Sequence, residues 1–223
     1  LEFFGTGIDT GDFNGDGIPD IVYISETKIL ILTNDGTGRH YDLAVLLDAP
    51  RFGFNLKAAD LNRDGITDIV AVGMEDNNVF IYASTAPLQF KLTKLPLISN
   101  PEQTRFFAKT LSIGDANRDG YPDILIPEFA NSALWLIKND RGGGFIPSLI
   151  AAPPPTQKIT SAQHLFYDKE NSTAYIGAVS GTYNPEFSII SVGSDGSTSV
   201  ISKTHLPFER PQHIETIAAH ERQ

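Results

Sequence analysis

The sequence predicts an all-β fold assembled from repeated four-stranded units, a β-propeller or a segment of one. Three observations predict it. One nine-residue phrase occurs three times. Its copies lie about 50 residues apart, the length of a four-stranded blade. Short β-type runs divided by turn residues fill the intervals.

The phrase reads Asp12-Phe13-Asn14-Gly15-Asp16-Gly17-Ile18-Pro19-Asp20, then Asp60-Leu61-Asn62-Arg63-Asp64-Gly65-Ile66-Thr67-Asp68, then Asp115-Ala116-Asn117-Arg118-Asp119-Gly120-Tyr121-Pro122-Asp123. Apolar pairs follow each copy: Ile21-Val22, Ile69-Val70 and Ile124-Leu125. Upstream, a phenylalanine precedes each first aspartate at the same distance: Phe4, Phe52 and Phe107. A fourth copy falls due near residue 168, where Phe166-Tyr167-Asp168 keeps the apolar frame and the acidic pattern is mostly lost. Ile214–Ala219 looks like one more lead-in strand. The units therefore run over about 3–50, 51–100, 106–150 and 159–210, with 214–219 opening a fifth, all within one domain.

Within the first unit, strands are expected at Asp20–Ser25, Lys28–Thr33 and Tyr41–Leu47, with Asn34-Asp35-Gly36 as a turn between the last two. Within the second they are expected at Asp68–Val72, Asn78–Ala83 and Phe90–Lys94. Pro153-Pro154-Pro155 falls between units three and four and reads as a connecting loop. A β-sandwich is the competing fold, and repetition of the nonapeptide at blade spacing argues against it.

Composition narrows the function. A formal net charge of −10 repels phosphate backbones and anionic membranes, which disfavours nucleic acid and lipid surfaces as partners. The absence of cysteine excludes disulfides, thiolate metal sites and a Cys nucleophile. No apolar run is long enough to span a bilayer as a helix. Leu1-Glu2-Phe3-Phe4 does not read as a signal peptide, and a start without Met reads as a mature or excised segment.

The chemistry lies in the acidic clusters. Calcium takes six to eight hard oxygen ligands, and oxygens at alternate positions of a tight loop can converge on one ion. In the first copy Asp12, Asn14, Asp16 and Asp20 offer side-chain oxygens, and the Ile18 carbonyl offers another. The second copy offers Asp60, Asn62, Asp64, Ile66 and Asp68. The third offers Asp115, Asn117, Asp119, Tyr121 and Asp123. The glycine at the sixth position permits the bend. The opening matches the EF-hand pattern, but the twelfth position holds Tyr23, Ala71 or Ile126 instead of Glu. The last aspartate comes at the ninth position, and a strand follows instead of a helix. Three calcium ions per chain are expected, with structural roles. Magnesium fits less well because it keeps several waters. A plain Asp/Asn/Gly turn is the bland alternative, and three copies of one donor pattern weigh against it.

Phe-Gly followed by Asp-x-Asn-x-Asp-Gly-x-x-Asp-Ile resembles the FG-GAP/VCBS repeats, which also occur in integrin α-subunit propellers and in many bacterial surface proteins and lectins. The resemblance covers residues 3–145 closely and 146–219 loosely. It implies a propeller, usually of about seven blades, with calcium between the first two strands of a blade. Four units and one further strand fit either part of a larger propeller or a small ring, and the larger propeller is the expectation. Open blade edges would then favour association.

Other signals are weak. Asp9-Thr10-Gly11 matches the aspartic protease triplet, but no second triplet exists to pair with it. The glycines at 5, 7 and 11 miss the dinucleotide fingerprint. The five histidines are scattered, and Trp135 reads as a core residue before a sugar platform. Asn171-Ser172-Thr173 is a glycosylation sequon. The expected function is a binding or adhesion module at the cell surface or outside it, for a glycan or a protein. The alternative is the propeller part of a polysaccharide lyase or hydrolase.

Overall fold

The computed structural model describes residues 7–51, 53–73, 77–97, 108, 110–129, 133–141, 143–151, 159–168, 170–180, 186–193 and 198–205. Phe4, Gly5, Phe52, Phe107, the triple proline and the expected strand at 214–219 lie outside them.

The described chain is all β: four antiparallel four-stranded sheets, each with its strands in chain order. The first comprises β1 (Ile8–Gly11), β2 (Asp20–Ile24), β3 (Lys28–Asn34) and β4 (Tyr41–Asp48). The second comprises β5 (Gly53–Ala59), β6 (Asp68–Gly73), β7 (Asn78–Ala86) and β8 (Gln89–Pro96). The third comprises β9 (Ser112–Gly114), β10 (Asp123–Glu128), β11 (Ala133–Asn139) and β12 (Phe145–Ala151). The fourth comprises β13 (Ile159–Asp168), β14 (Thr173–Ser180), β15 (Glu186–Gly193) and β16 (Thr198–His205). The strands expected in the first two units appear within one to three residues of their expected ends.

Each nonapeptide is the loop between the first two strands of its sheet, and its ninth residue opens the second strand. In the fourth unit a tight turn replaces that loop. There Asp168 accepts the Glu170 N–H at 2.9 Å and the Asn171 amide at 2.7 Å.

Alternation of side chains across a strand explains how the sheets stack. On β6, Ile69 and Ala71 enter a core shared with the first sheet, with Val22, Ile24, Ile29, Ile31 and Phe80. Val70 and Val72 face the other way, into a core shared with the third sheet that holds Ile124, Ile126 and Trp135. Leu125 of β10 faces a third core with Ile176 and Ile190 of the fourth sheet. β6 and β10 are consequently buried along their whole lengths, whereas β2 alternates between buried and half-buried. Packing runs from first to second, second to third and third to fourth sheet; among the described residues no substantial packing joins the fourth to the first. The fourth strands lie outermost, and β4, β8 and β16 are largely exposed.

Polar ties join adjacent sheets. Thr67 N–H donates to the Asp12 carbonyl at 2.8 Å and Leu88 N–H to the Phe13 carbonyl at 2.9 Å. Ala58 N–H donates to Asp9 Oδ2 at 3.0 Å, so the lone Asp-Thr-Gly triplet serves a sheet junction. Gly11 permits the close approach: a β-carbon there would come within 2.5 Å of Thr67 Cγ2. Trp135 is 6% exposed and donates its indole N–H to Glu128 at 3.2 Å, a core role as expected.

The second and third sheets are tied by buried Asn139, whose Nδ2 donates to the Leu61 carbonyl at 2.8 Å. Removing that donor deprives a buried carbonyl of its partner. Asn139→Ala is expected to lower stability by about 1–3 kcal/mol in urea unfolding. A loss below about 0.5 kcal/mol, within the range of ordinary surface substitutions, would remove this tie from the account.

Candidate metal centres

The three loops share one hydrogen-bond scheme. The first-position carboxylate accepts N–H bonds across the turn. Asp12 takes Gly15 at 2.6 Å and Gly17 at 2.8 Å. Asp60 takes Asp64 at 3.2 Å and Gly65 at 2.9 Å. Asp115 takes Asp119 at 3.0 Å and Gly120 at 2.8 Å. The third-position amide oxygens of Asn14, Asn62 and Asn117 each accept the N–H two residues on, at 2.9–3.0 Å. The fifth-position carboxylates do the same for Ile18, Ile66 and Tyr121 at 2.8–2.9 Å. These are Asx-type turns laid end to end.

The backbone bends at two positions. The sixth residue is left-handed in every loop, with Gly17 at φ 80°, Gly65 at 87° and Gly120 at 92°. The fourth residue is left-handed too: Gly15 at 78°, Arg63 at 63° and Arg118 at 54°. Glycine meets this at no steric cost, whereas the two arginines adopt it against preference.

The ninth-position aspartates are fully buried. Each bridges the loop and the end of the third strand through two main-chain donors. Asp20 accepts from Phe13 at 3.1 Å and Asn34 at 2.9 Å. Asp68 accepts from Leu61 at 2.7 Å and Ser84 at 2.6 Å. Asp123 accepts from Ala116 at 3.0 Å and Asn139 at 2.9 Å. The second residue of each loop, Phe13, Leu61 or Ala116, is at the same time buried in one of the cores between sheets. Asn34, Ser84 and Asn139 had no place among the expected site residues. The turn signal at Asn34-Asp35-Gly36, echoed by Asn139-Asp140, was the available hint.

Burial raises the carboxyls of Asp68 and Asp123. For Asp123 the N–H bonds of Asn139 and Ala116 pull the other way, the charges of Asp119 and Asp115 add to the rise, and the value reaches about 6. Asp68 moves in the same direction, with Asp64 as the neighbouring charge. Burial acts on Asp119 too, but the N–H of Tyr121 and the side chains of Arg141 and Asn117 outweigh it and hold Asp119 below the usual range.

The donor set of each loop suits a hard divalent cation: three carboxylates, one amide oxygen and one main-chain carbonyl within nine residues. In the structure the carboxylates point at N–H groups, and among the described residues no three acidic or histidine side chains gather on one point. A carboxylate offers about four lone-pair positions. The hydrogen bonds described occupy two of them on each of Asp12, Asp16 and Asp20, so donor capacity remains.

The family model described as FG-GAP-like repeat matches residues 12–71 and 60–126, together just over half of the chain. No curated protein gives a significant match to the sequence. Among solved structures, an Agrocybe aegerita lectin that recognises non-reducing terminal N-acetylglucosamine is similar over 88% of this chain and 50% of its own, with TM-score 0.54 and 18% identity. The V. cholerae biofilm matrix protein Bap1 is similar over 90% of this chain and 28% of its own, with TM-score 0.53 and 18% identity. BBS1N, solved in complex with ARL6DN, is similar over 94% of this chain and 70% of its own, with TM-score 0.53 and 10% identity. The chain thus spans about half of the lectin and little more than a quarter of the matrix protein. At these identities the likeness is one of fold.

The raised carboxyl of Asp123 sets a pH dependence. The folded protein holds this proton more tightly than the unfolded chain, whose ordinary value is 3.8. The contribution of Asp123 to stability is therefore greatest at low pH and declines as pH rises through about 6. A carboxyl-detected NMR titration of chelator-treated protein is expected to show one aspartate titrating near pH 6, absent in Asp123→Asn. Titration of every aspartate below about pH 4.5, inside the ordinary range, would overturn this.

Proposed function

The chain belongs to the FG-GAP-like repeat family, and from that premise we propose that it is a calcium-stabilised β-propeller segment acting as a non-catalytic binding module at the cell surface or outside it, with a glycan or protein ligand. The observation that carries this reading is the threefold loop, which repeats one donor set and one hydrogen-bond scheme on three successive sheets. Asp12, Asn14, Asp16, Asp20 and the Ile18 carbonyl would hold calcium in the first loop. Asp60, Asn62, Asp64, Asp68 and the Ile66 carbonyl would hold it in the second. Asp115, Asn117, Asp119, Asp123 and the Tyr121 carbonyl would hold it in the third. The ion would supply positive charge to a loop that carries three carboxylates within nine residues.

The four sheets are read as blades. Their sequential packing and their first-to-second-strand loops suit a propeller, and β6 and β10 have the two covered faces of interior blades. A glycan or protein ligand accords with the lectin and the matrix protein among the similar structures. A binding role accords also with the chemistry of the acids. The carboxyl of Asp123 is raised to about 6, yet it is fully buried and held by two main-chain donors. Its raised value has a structural cause, burial at the start of a strand, and so is no mark of a catalytic acid.

Calorimetric titration with calcium is expected to give three ions per chain, and none or one would overturn the assignment. Asp64→Asn keeps the length and an acceptor oxygen and removes the charge. At calcium near 100 times its dissociation constant, this variant is expected to melt about 5 °C or more below wild type, and in chelator within about 2 °C of it. Equal losses in both media would assign Asp64 to the fold alone. A glycan array probed in calcium and in chelator tests the ligand class, and turnover of a polysaccharide by this chain would overturn the non-catalytic reading.

A further inference from the structure

The third loop departs from the other two at one atom. In the first loop Asp16 Oδ2 accepts the Asn14 amide at 2.8 Å. In the second, Asp64 Oδ2 accepts the Asn62 amide at 2.9 Å and the Ser84 hydroxyl at 3.0 Å. In the third, Asp119 Oδ2 accepts the guanidinium Nε–H of Arg141 at 2.9 Å, and the two form an ion pair. The Asp119 side chain is 8% exposed, whereas Asp16 and Asp64 are exposed.

The origin of the difference lies in the repeat. Arg141 stands two residues beyond Asn139, whose N–H caps Asp123. The equivalent positions beyond Asn34 and Ser84 hold Gly36 and Ala86, which have no charge and no reach. A second guanidinium approaches from the neighbouring loop. Arg63 lies over the Tyr121 ring at 5.1 Å from its centroid, and a β-carbon on Gly120 would come within 2.8 Å of an Arg63 terminal nitrogen.

We propose that Arg141 is a resident cation in the third loop that competes with the metal for Asp119, so that this loop fills last. The inference rests on the calcium reading above. A divalent ion entering here either displaces the guanidinium, losing a charge-assisted hydrogen bond, or settles beside it against like-charge repulsion. Each route weakens binding relative to the first two loops, by about three- to tenfold for a partly buried pair.

The test is calcium calorimetry on the full chain. Wild type is expected to show two tighter ions and one weaker. Asp119→Asn should delete the weaker step and leave the two tighter ones. Arg141→Gln, similar in length and uncharged, should tighten the weaker step by about three- to tenfold and leave the others in place. Arg141→Gly, which suits the φ of 66° at this position and copies Gly36, should do the same and guards against a folding defect in the first variant. Terbium gives a second readout. Tyr121 occupies the seventh position, where the other loops have Ile18 and Ile66, so the part of the tyrosine-sensitised emission that Tyr121→Phe removes reports this loop. That part should rise only after the first two equivalents in wild type, and earlier in both Arg141 variants. Three ions of one common affinity, loss of a tight step in Asp119→Asn, or no shift in folded Arg141 variants would overturn the inference. Absence of calcium heat at every loop would instead fell the calcium reading on which it rests.

Discussion

A buried aspartate, used three times, holds the architecture in place. Asp20, Asp68 and Asp123 each sit at the start of a second strand with no exposure to solvent. Each takes one N–H from the loop and one from the end of the third strand. A carboxylate taken out of water is costly unless its oxygens are satisfied. Two directed donors from separate segments lower that cost only when loop and strand are both in register. The buried acid thereby ties loop and third strand together, a constraint that the apolar cores alone would leave loose. The second residue of the loop completes the arrangement, because the N–H that caps the carboxylate belongs to a residue buried in the core between sheets.

The exposed half of each loop follows from that anchor. Once the ninth residue is fixed, the intervening residues close through side-chain to main-chain bonds, and the glycine at the sixth position takes the left-handed turn. The remaining acids of each loop lie within four residues of each other in sequence, exposed at Asp16 and Asp64 and enclosed at Asp119. Nine aspartates in three such loops carry much of the chain's net charge of −10. A cation of the kind proposed above would offset that local charge.

Much of this was legible beforehand, and the reason is physical. Repetition revealed the loop, because the same spacing of Asp, Asn and Gly serves the same turn wherever it occurs. Short β-type runs between turn residues placed the strands of the first two units, where Lys28–Asn34 and Asn78–Ala86 begin at the expected residues. Contacts between units were hidden. The bond from Asn139 to Leu61 joins residues 78 apart, and nothing in either local sequence announces it. Arg141 was equally silent, since an arginine after a turn is ordinary until the chain brings it to Asp119. The orientation of the carboxylates was hidden too: the sequence offered only a pattern of oxygen donors, and the structure shows those oxygens engaged by N–H groups.

The two-faced burial of β6 and β10 has a bearing on how such a protein tolerates change. A residue on either strand is a wall between neighbouring cores, so enlarging Val70 presses on the second core while its neighbours Ile69 and Ala71 are felt in the first. A fault in an interior sheet is thus shared between two compartments, and repair on one side can disturb the other. β2 has a covered face and a half-open one, and its outward residues answer to fewer neighbours. Sequence drift should therefore be uneven along the stack, with the interior second strands the slowest to change and the exposed fourth strands the freest.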